Sequence, residues 1–221
     1  MDPVVRFRQA VCLLGRFPAL AGVDLEVGAG EIVLLQGPNG AGKTTVLRAC
    51  AGLVPVVDGT AEVLGVDLRT DPRPVRSRVG LLGHGSGLYA DLTVADNVAF
   101  WARAGRSRAT DVDAAMARLG LDGRLADVAV ARLSAGQRRR AALAVLVARR
   151  PELWLLDEPH AALDQHARDL VDGLMVDAVA AGATVVFVSH ELDRAAAVAH
   201  RTVHLAGGIA AVTSGARPVA S

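Results

Sequence analysis

The chain of 221 residues carries 24 basic and 23 acidic side chains, a formal net charge of +1, and this balance, with no long basic run, argues against nucleic acid as an obligatory partner. Its 52% hydrophobic fraction can build the core of one α/β domain, or of one domain with an inserted subdomain, yet no uncharged apolar stretch reaches the roughly 18 residues of a membrane span. Asp2 and the missing apolar h-region argue against a signal peptide, and Cys12 and Cys50, isolated and without zinc or redox spacing, read as packed thiols of a reducing compartment.

Short apolar runs predict strands at Val4–Phe7 and Val23–Val27, and Ile32–Gln36 reads as a buried parallel strand. Directly behind it stands Gly37-Pro38-Asn39-Gly40-Ala41-Gly42-Lys43-Thr44, which fits G-x-x-x-x-G-K-S/T. Lys43 is the one lysine of the chain; every other residue in the basic count is arginine. A compact ammonium is therefore expected to serve here where a guanidinium would not. The glycines let backbone N–H groups approach phosphate oxygens, and the helix expected from Thr44 to Cys50 turns its positive end toward them. Lys43 is expected on the β- and γ-phosphates and the Thr44 hydroxyl on Mg²⁺, with Thr45 next to it. The predicted ligand is a nucleoside triphosphate.

Arg69 to Arg78, with Pro72 and Pro74, reads as a polar connection into a strand at Val79–Leu82. From Gly85 to about Arg150 the pattern is helical, with helices near Thr93–Arg103, Val112–Leu119 and Gln137–Arg149. This predicts a helical insertion (85–150) within a core built from 1–84 and 151–213, all in one domain. Arg138 to Arg140 read as a solvated face of the third helix. A strand at Leu153–Leu156 then runs into Asp157 and Glu158. Asp157 is placed to hold the Mg²⁺ hydration shell, and Glu158 to polarise an attacking water as general base. A helix at Gln165–Ala180, a strand at Val185–Ser189, a helix at Leu192–Ala199 and a loosely held tail at 214–221 complete the reading.

The segment Leu133-Ser134-Ala135-Gly136-Gln137 resembles the signature of ATP-binding cassette (ABC) ATPases. In order after it, Ala161-Ala162-Leu163-Asp164 resembles their D-loop and His190 their switch histidine. The resemblance implies an α/β P-loop NTPase fold, a RecA-like core with an antiparallel β subdomain and an inserted helical subdomain, and ATP with Mg²⁺ as ligands. Ser134, Gly136 and Gln137 begin a helix, which is an anion site in its own right. The resemblance implies that they face the ATP of a second cassette in an ATP-dependent homodimer, that Asp164 links the two sites and that His190 meets the γ-phosphate and the attacking water.

One position departs from that pattern. Where these ATPases carry a glutamine at the end of the strand leading into the insertion, this chain has His84, within Gly83-His84-Gly85. A neutral imidazole can also accept a hydrogen bond from a metal-bound water, so His84 is expected in the catalytic and metal roles of that glutamine. The stretch Leu82 to Arg103, together with Trp154 to Pro159, is similar to the ATP-binding subunits of cytochrome c maturation, haem exporter-type transporters. This implies membrane-spanning partner subunits and a peripheral place on the cytoplasmic face of the inner membrane. Other exporters, of drugs, lipids or polysaccharides, and a non-transport ABC ATPase remain as alternatives. For the adenine base, Leu14 stands at the usual stacking position and Phe17 is the nearest aromatic. The remaining histidines, His160, His166, His200 and His204, show no metal-ligating constellation.

Overall fold

The computed structural model describes residues 2–105, 107–207 and, as backbone, 209–213; the expected tail at 214–221 lies outside the described residues. The chain opens with β1 (Val5–Leu14) and β2 (Phe17–Val27), followed by β3 (Ile32–Gln36), α1 (Lys43–Cys50), β4 (Val56–Val63), β5 (Val66–Asp67), α2 (Arg73–Arg76) and β6 (Val79–Leu82). The insertion holds α3 (Val94–Ala104), α4 (Ala109–Arg118) and α5 (Ala135–Arg149). Then come β7 (Leu153–Asp157), α6 (Gln165–Ala180), β8 (Thr184–Val188), α7 (Leu192–Val198), β9 (Arg201–Ala206) and β10 (Ile209–Thr213).

Two sheets result. One is antiparallel, in the order β2-β1-β4-β5; the other runs β10-β9-β3-β8-β7-β6 and is parallel except at β10. The central strands are buried on both faces, which explains their unbroken apolar runs. Ile32 and Leu34 of β3, with Trp154 and Leu156 of β7, join the core beneath α3, α5 and α6. Their neighbours Val33, Leu35, Leu153 and Leu155 join a second core shared with α1 and the antiparallel sheet. Alternate residues of one strand thus tie two layers together, and the C-terminal ends of β3 and β7 deliver the phosphate loop and the two carboxylates to one rim. Both cysteines are buried in the second core; burial pushes the Cys12 thiol up to about 11 and the Cys50 thiol further.

Strands β1 and β2 are longer than predicted, for a visible reason. In β1 the buried positions are Val5 and Phe7, then Ala10 and Cys12, so the period of two slips by one residue. The slip falls at Gln9, whose φ is 47°, where the pairing with both β2 and β4 shifts register. It is a β-bulge, and Gly59 faces it across β4: a Cβ there would lie 2.1 Å from the Gln9 carbonyl oxygen. That interior glycine, next to Asp58, disguises β4 as a turn.

The insertion is helical as expected, but its third helix is not amphipathic. Most of α5 is buried, including Arg139. The three arginines expected on a solvated face all donate to backbone carbonyls instead. Arg138 reaches Leu133 at 2.7 Å, Arg140 reaches Leu119 at 2.9 Å, and Arg139 turns inward. A helix buried nearly all round offers no solvated face.

Candidate active site

The phosphate loop is shaped by what crowds it. Gly37 has φ 149° and packs so tightly against β9 that a Cβ would sit 2.1 Å from the Leu205 carbonyl oxygen. Gly42, at φ 95°, caps α1 in the left-handed region, with Ala19 and Leu20 within 2.7 Å of where a Cβ would be. No side chain caps α1, and its first residues, Lys43, Thr44 and Thr45, line the cleft. Lys43 Nζ donates to the Gly37 carbonyl at 2.8 Å and the Pro38 carbonyl at 3.0 Å, holding the ammonium across the loop mouth. Thr44 Oγ1 donates to Asp157 Oδ2 at 2.9 Å, although the two residues are 113 positions apart.

Asp157 ends β7 and is buried. Glu158 follows with φ 52°, a left-handed conformation that costs a glutamate about 1 kcal/mol. Its N–H donates to the Val188 carbonyl at 3.0 Å, and its Oε2 accepts the His190 N–H at 3.1 Å. Oε1 lies 3.4 Å from His190 Nε2 without forming a hydrogen bond, so a buried carboxylate oxygen keeps its lone pairs free. An unpaired carboxylate oxygen beside a phosphate loop has the acceptor capacity that a general base uses.

These residues line one cleft of about 460 Å³. The wall is formed by Asn39, Gly40, Ala41, Gly42, Lys43, Thr44 and Thr45 on one side, and by His84, Asp157, Glu158 and His190 on the other. A recess of about 300 Å³ adjoins it at Lys43 and His190 and takes in Gly37 and His204. His84 therefore stands in the cleft, as its position in the sequence suggested. Phe17 does not: it lies at the hairpin tip between β1 and β2, 80% exposed, while Leu14 and Ala19 line the cleft. Of the two residues considered for the adenine base, Leu14 lines the cleft and Phe17 stands exposed beside it on the hairpin. His200 is structural, its Nδ1 accepting the Ile32 N–H at 3.0 Å.

Ser134, Gly136, Gln137 and Asp164 line no part of this cleft. Ser134 caps α5: its hydroxyl accepts the Gln137 N–H at 3.2 Å, and the Gln137 side chain accepts the Ser134 N–H at 2.8 Å. Gly136 leaves room for the D-loop, since a Cβ would lie 2.8 Å from the Ala162 carbonyl oxygen. Asp164 caps α6, accepting the Ala167 N–H at 2.8 Å.

The ABC transporter family model matches residues 20–161. The chain is 39% identical over 197 residues to the cytochrome c biogenesis ATP-binding export protein CcmA of Paramagnetospirillum magneticum, covering 86% of this chain and 88% of that one. It is also 42% identical over 210 residues to an ABC transporter ATP-binding protein of Streptomyces avermitilis, covering 93% of this chain but 37% of that longer one. In fold it is similar to a dimeric bacterial ABC transporter cassette, with a TM-score of 0.85 at 24% identity, 96% of this chain and 99% of that one being covered. The cleft, its order of motifs and these likenesses agree: the chain belongs to the ABC transporter family and is an ATP-binding, ATP-hydrolysing subunit of it.

Proposed function

We propose that this subunit powers a cytochrome c biogenesis export complex of the haem exporter type, attached to membrane-spanning subunits at the cytoplasmic face of the inner membrane. The observation that carries the reading is the identity to CcmA over most of both chains. No helix among the described residues is long and apolar enough to cross a membrane, so a membrane role calls for separate spanning subunits. An aromatic cluster, with Tyr89 and Phe100 exposed and Trp101 packed partly against the core, supplies a surface for them. Tyr89, Phe100 and Trp101 pack edge-on and stacked with ring centroids 5.2–6.1 Å apart, five residues and more beyond His84. The fully buried Asn97 fixes it by holding both the N–H and the carbonyl of Tyr89.

In the catalytic cycle we assign Lys43 to exchange its loop carbonyls for β- and γ-phosphate oxygens, joined by the amides of residues 39–44. The Thr44 hydroxyl and the Asp157 carboxylate are adjacent hard oxygen donors that fit Mg²⁺ and would hold it; no cluster of three His, Cys, Asp or Glu side chains exists among the described residues to hold a more demanding ion. Bound there, Mg²⁺ supplies neutralisation of phosphate charge. Glu158 takes the proton of the attacking water, His190 orients the water and the γ-phosphate, and His84, on the same wall of the cleft, would accept a hydrogen bond from water beside the metal site. The signature residues, lying outside the cleft, complete the site of a second copy, so that two cassettes enclose two ATP molecules.

Purification from native membranes, with identification of the attached subunits, tests the proposed role. Membrane-spanning cytochrome c maturation subunits are expected, and recovery of an unrelated permease alone would overturn it. Changing His84 to Ala should lower transport-coupled ATPase activity more than ATP affinity. Equal losses in turnover and affinity would reduce His84 to a local contact.

A further inference from the structure

Arg139 is a buried cation with no carboxylate partner among the described residues, on the helix that the signature begins. Its residue exposure is 8%. Its guanidinium donates to four main-chain carbonyls: Gly83 at 2.8 Å, Pro159 at 3.4 Å, and those of Asp157 and Glu158. Burial pulls the guanidinium down from its ordinary range, while the nearby Asp157 and Glu158 charges push back. A neutral side chain could fill the same space. A buried charge is tolerated only where dipoles compensate it, and here two of the four are the carbonyls of Asp157 and Glu158.

The geometry of those carbonyls is specific. Gly83 follows the end of β6 and precedes His84, while Asp157 ends β7 beside it and Glu158 comes next. Glu158 has its N–H fixed to Val188 and its carbonyl to Arg139. With both main-chain groups held at φ 52°, the side chain has one direction to leave the backbone, toward His190. Arg139 lies just over one turn along α5 from Ser134. A lysine could not bridge four acceptors; the planar fork of five N–H groups can.

We propose that Arg139 is a positioning residue for hydrolysis: it clamps the backbone of Glu158, Asp157 and the His84 loop to the first turns of α5. The helix whose start faces the partner's nucleotide thereby also sets the attitude of the general base. This last link rests on the paired-cassette reading above; the clamp itself does not. The charge run at 138–140 is then a structural hub with one member inside the machinery.

The test is a double-mutant cycle between Arg139 and Glu158. Arg139→Met, similar in length but without charge or donors, should lower kcat about 10²-fold by misplacing the base, with ATP affinity and KM held within threefold. In the Glu158→Gln background the same change should add less than a threefold further loss, because there is no base left to misplace. Should Arg139→Met not fold, Arg139→Gln is read in the same way. Losses that multiply, or a kcat within threefold of the parent, overturn the proposal. Sedimentation of Glu158→Gln with ATP runs alongside: a non-additive cycle with no ATP-dependent dimer keeps the clamp and removes the paired-cassette link.

Discussion

Changing Glu158 to Gln is expected to slow ATP hydrolysis by roughly 10²–10⁴-fold while leaving ATP binding intact. The substitution is nearly isosteric, and the retained amide oxygen can still accept the His190 N–H that Oε2 accepts at 3.1 Å. The phosphate loop, with Lys43 and Thr44, does not touch the altered atom, so the binding half of the site persists. What disappears is the negative charge on Oε1, the buried acceptor with no partner of its own. The amide that replaces it cannot accept a proton from water. Steady-state turnover at saturating ATP, set beside equilibrium nucleotide binding, measures the two effects separately. With chemistry blocked, the nucleotide-bound dimer should accumulate and be seen by sedimentation. Turnover close to the parent's would remove Glu158 as the base and return attention to His190 and His84, which share the cleft.

The phosphate loop and the acid pair were legible because their chemistry demands residues that nothing else in the chain supplies: a solitary lysine after glycines, and two carboxylates at the end of an apolar run. The central strands were legible because burial on both faces leaves no polar residue to interrupt them. Other features failed for equally physical reasons. β1 and β4 bulge together at Gln9 and Gly59, and a one-residue slip erases the alternation by which a strand is recognised. The exposure of Phe17 at the hairpin tip is set by the pairing of β1 with β2 and cannot be read from residue type. Arg139 looked solvated because a charge run normally is; only the tertiary structure reveals carbonyls waiting at the strand ends. No signal in the sequence alone distinguishes it from Arg138 and Arg140.

Changing Ser134 to Arg is expected to abolish ATP-dependent pairing while nucleotide binding by the single cassette remains measurable. Two effects of the substitution must be separated. The first is local: the hydroxyl that accepts the Gln137 N–H is lost, and a missing cap costs about 1 kcal/mol of helix stability. The buried body of α5 should carry that loss without unfolding. The second acts on the proposed interface, where a long cation replaces a small hydroxyl at a helix start meant for another subunit's phosphate. Its bulk does not fit where a hydroxyl approaches the phosphate, and at about 3 kcal/mol for each of the two sites the clash lowers dimer affinity roughly 10⁴-fold. Ser134→Ala removes the cap without adding bulk and so isolates the first effect. In a Glu158→Gln background, sedimentation with ATP should give a dimer for the parent, a somewhat weakened dimer for Ser134→Ala and a monomer for Ser134→Arg. A dimer of parental strength in the arginine variant would mean that the start of α5 does not face a second nucleotide, and the shared site would have to be abandoned.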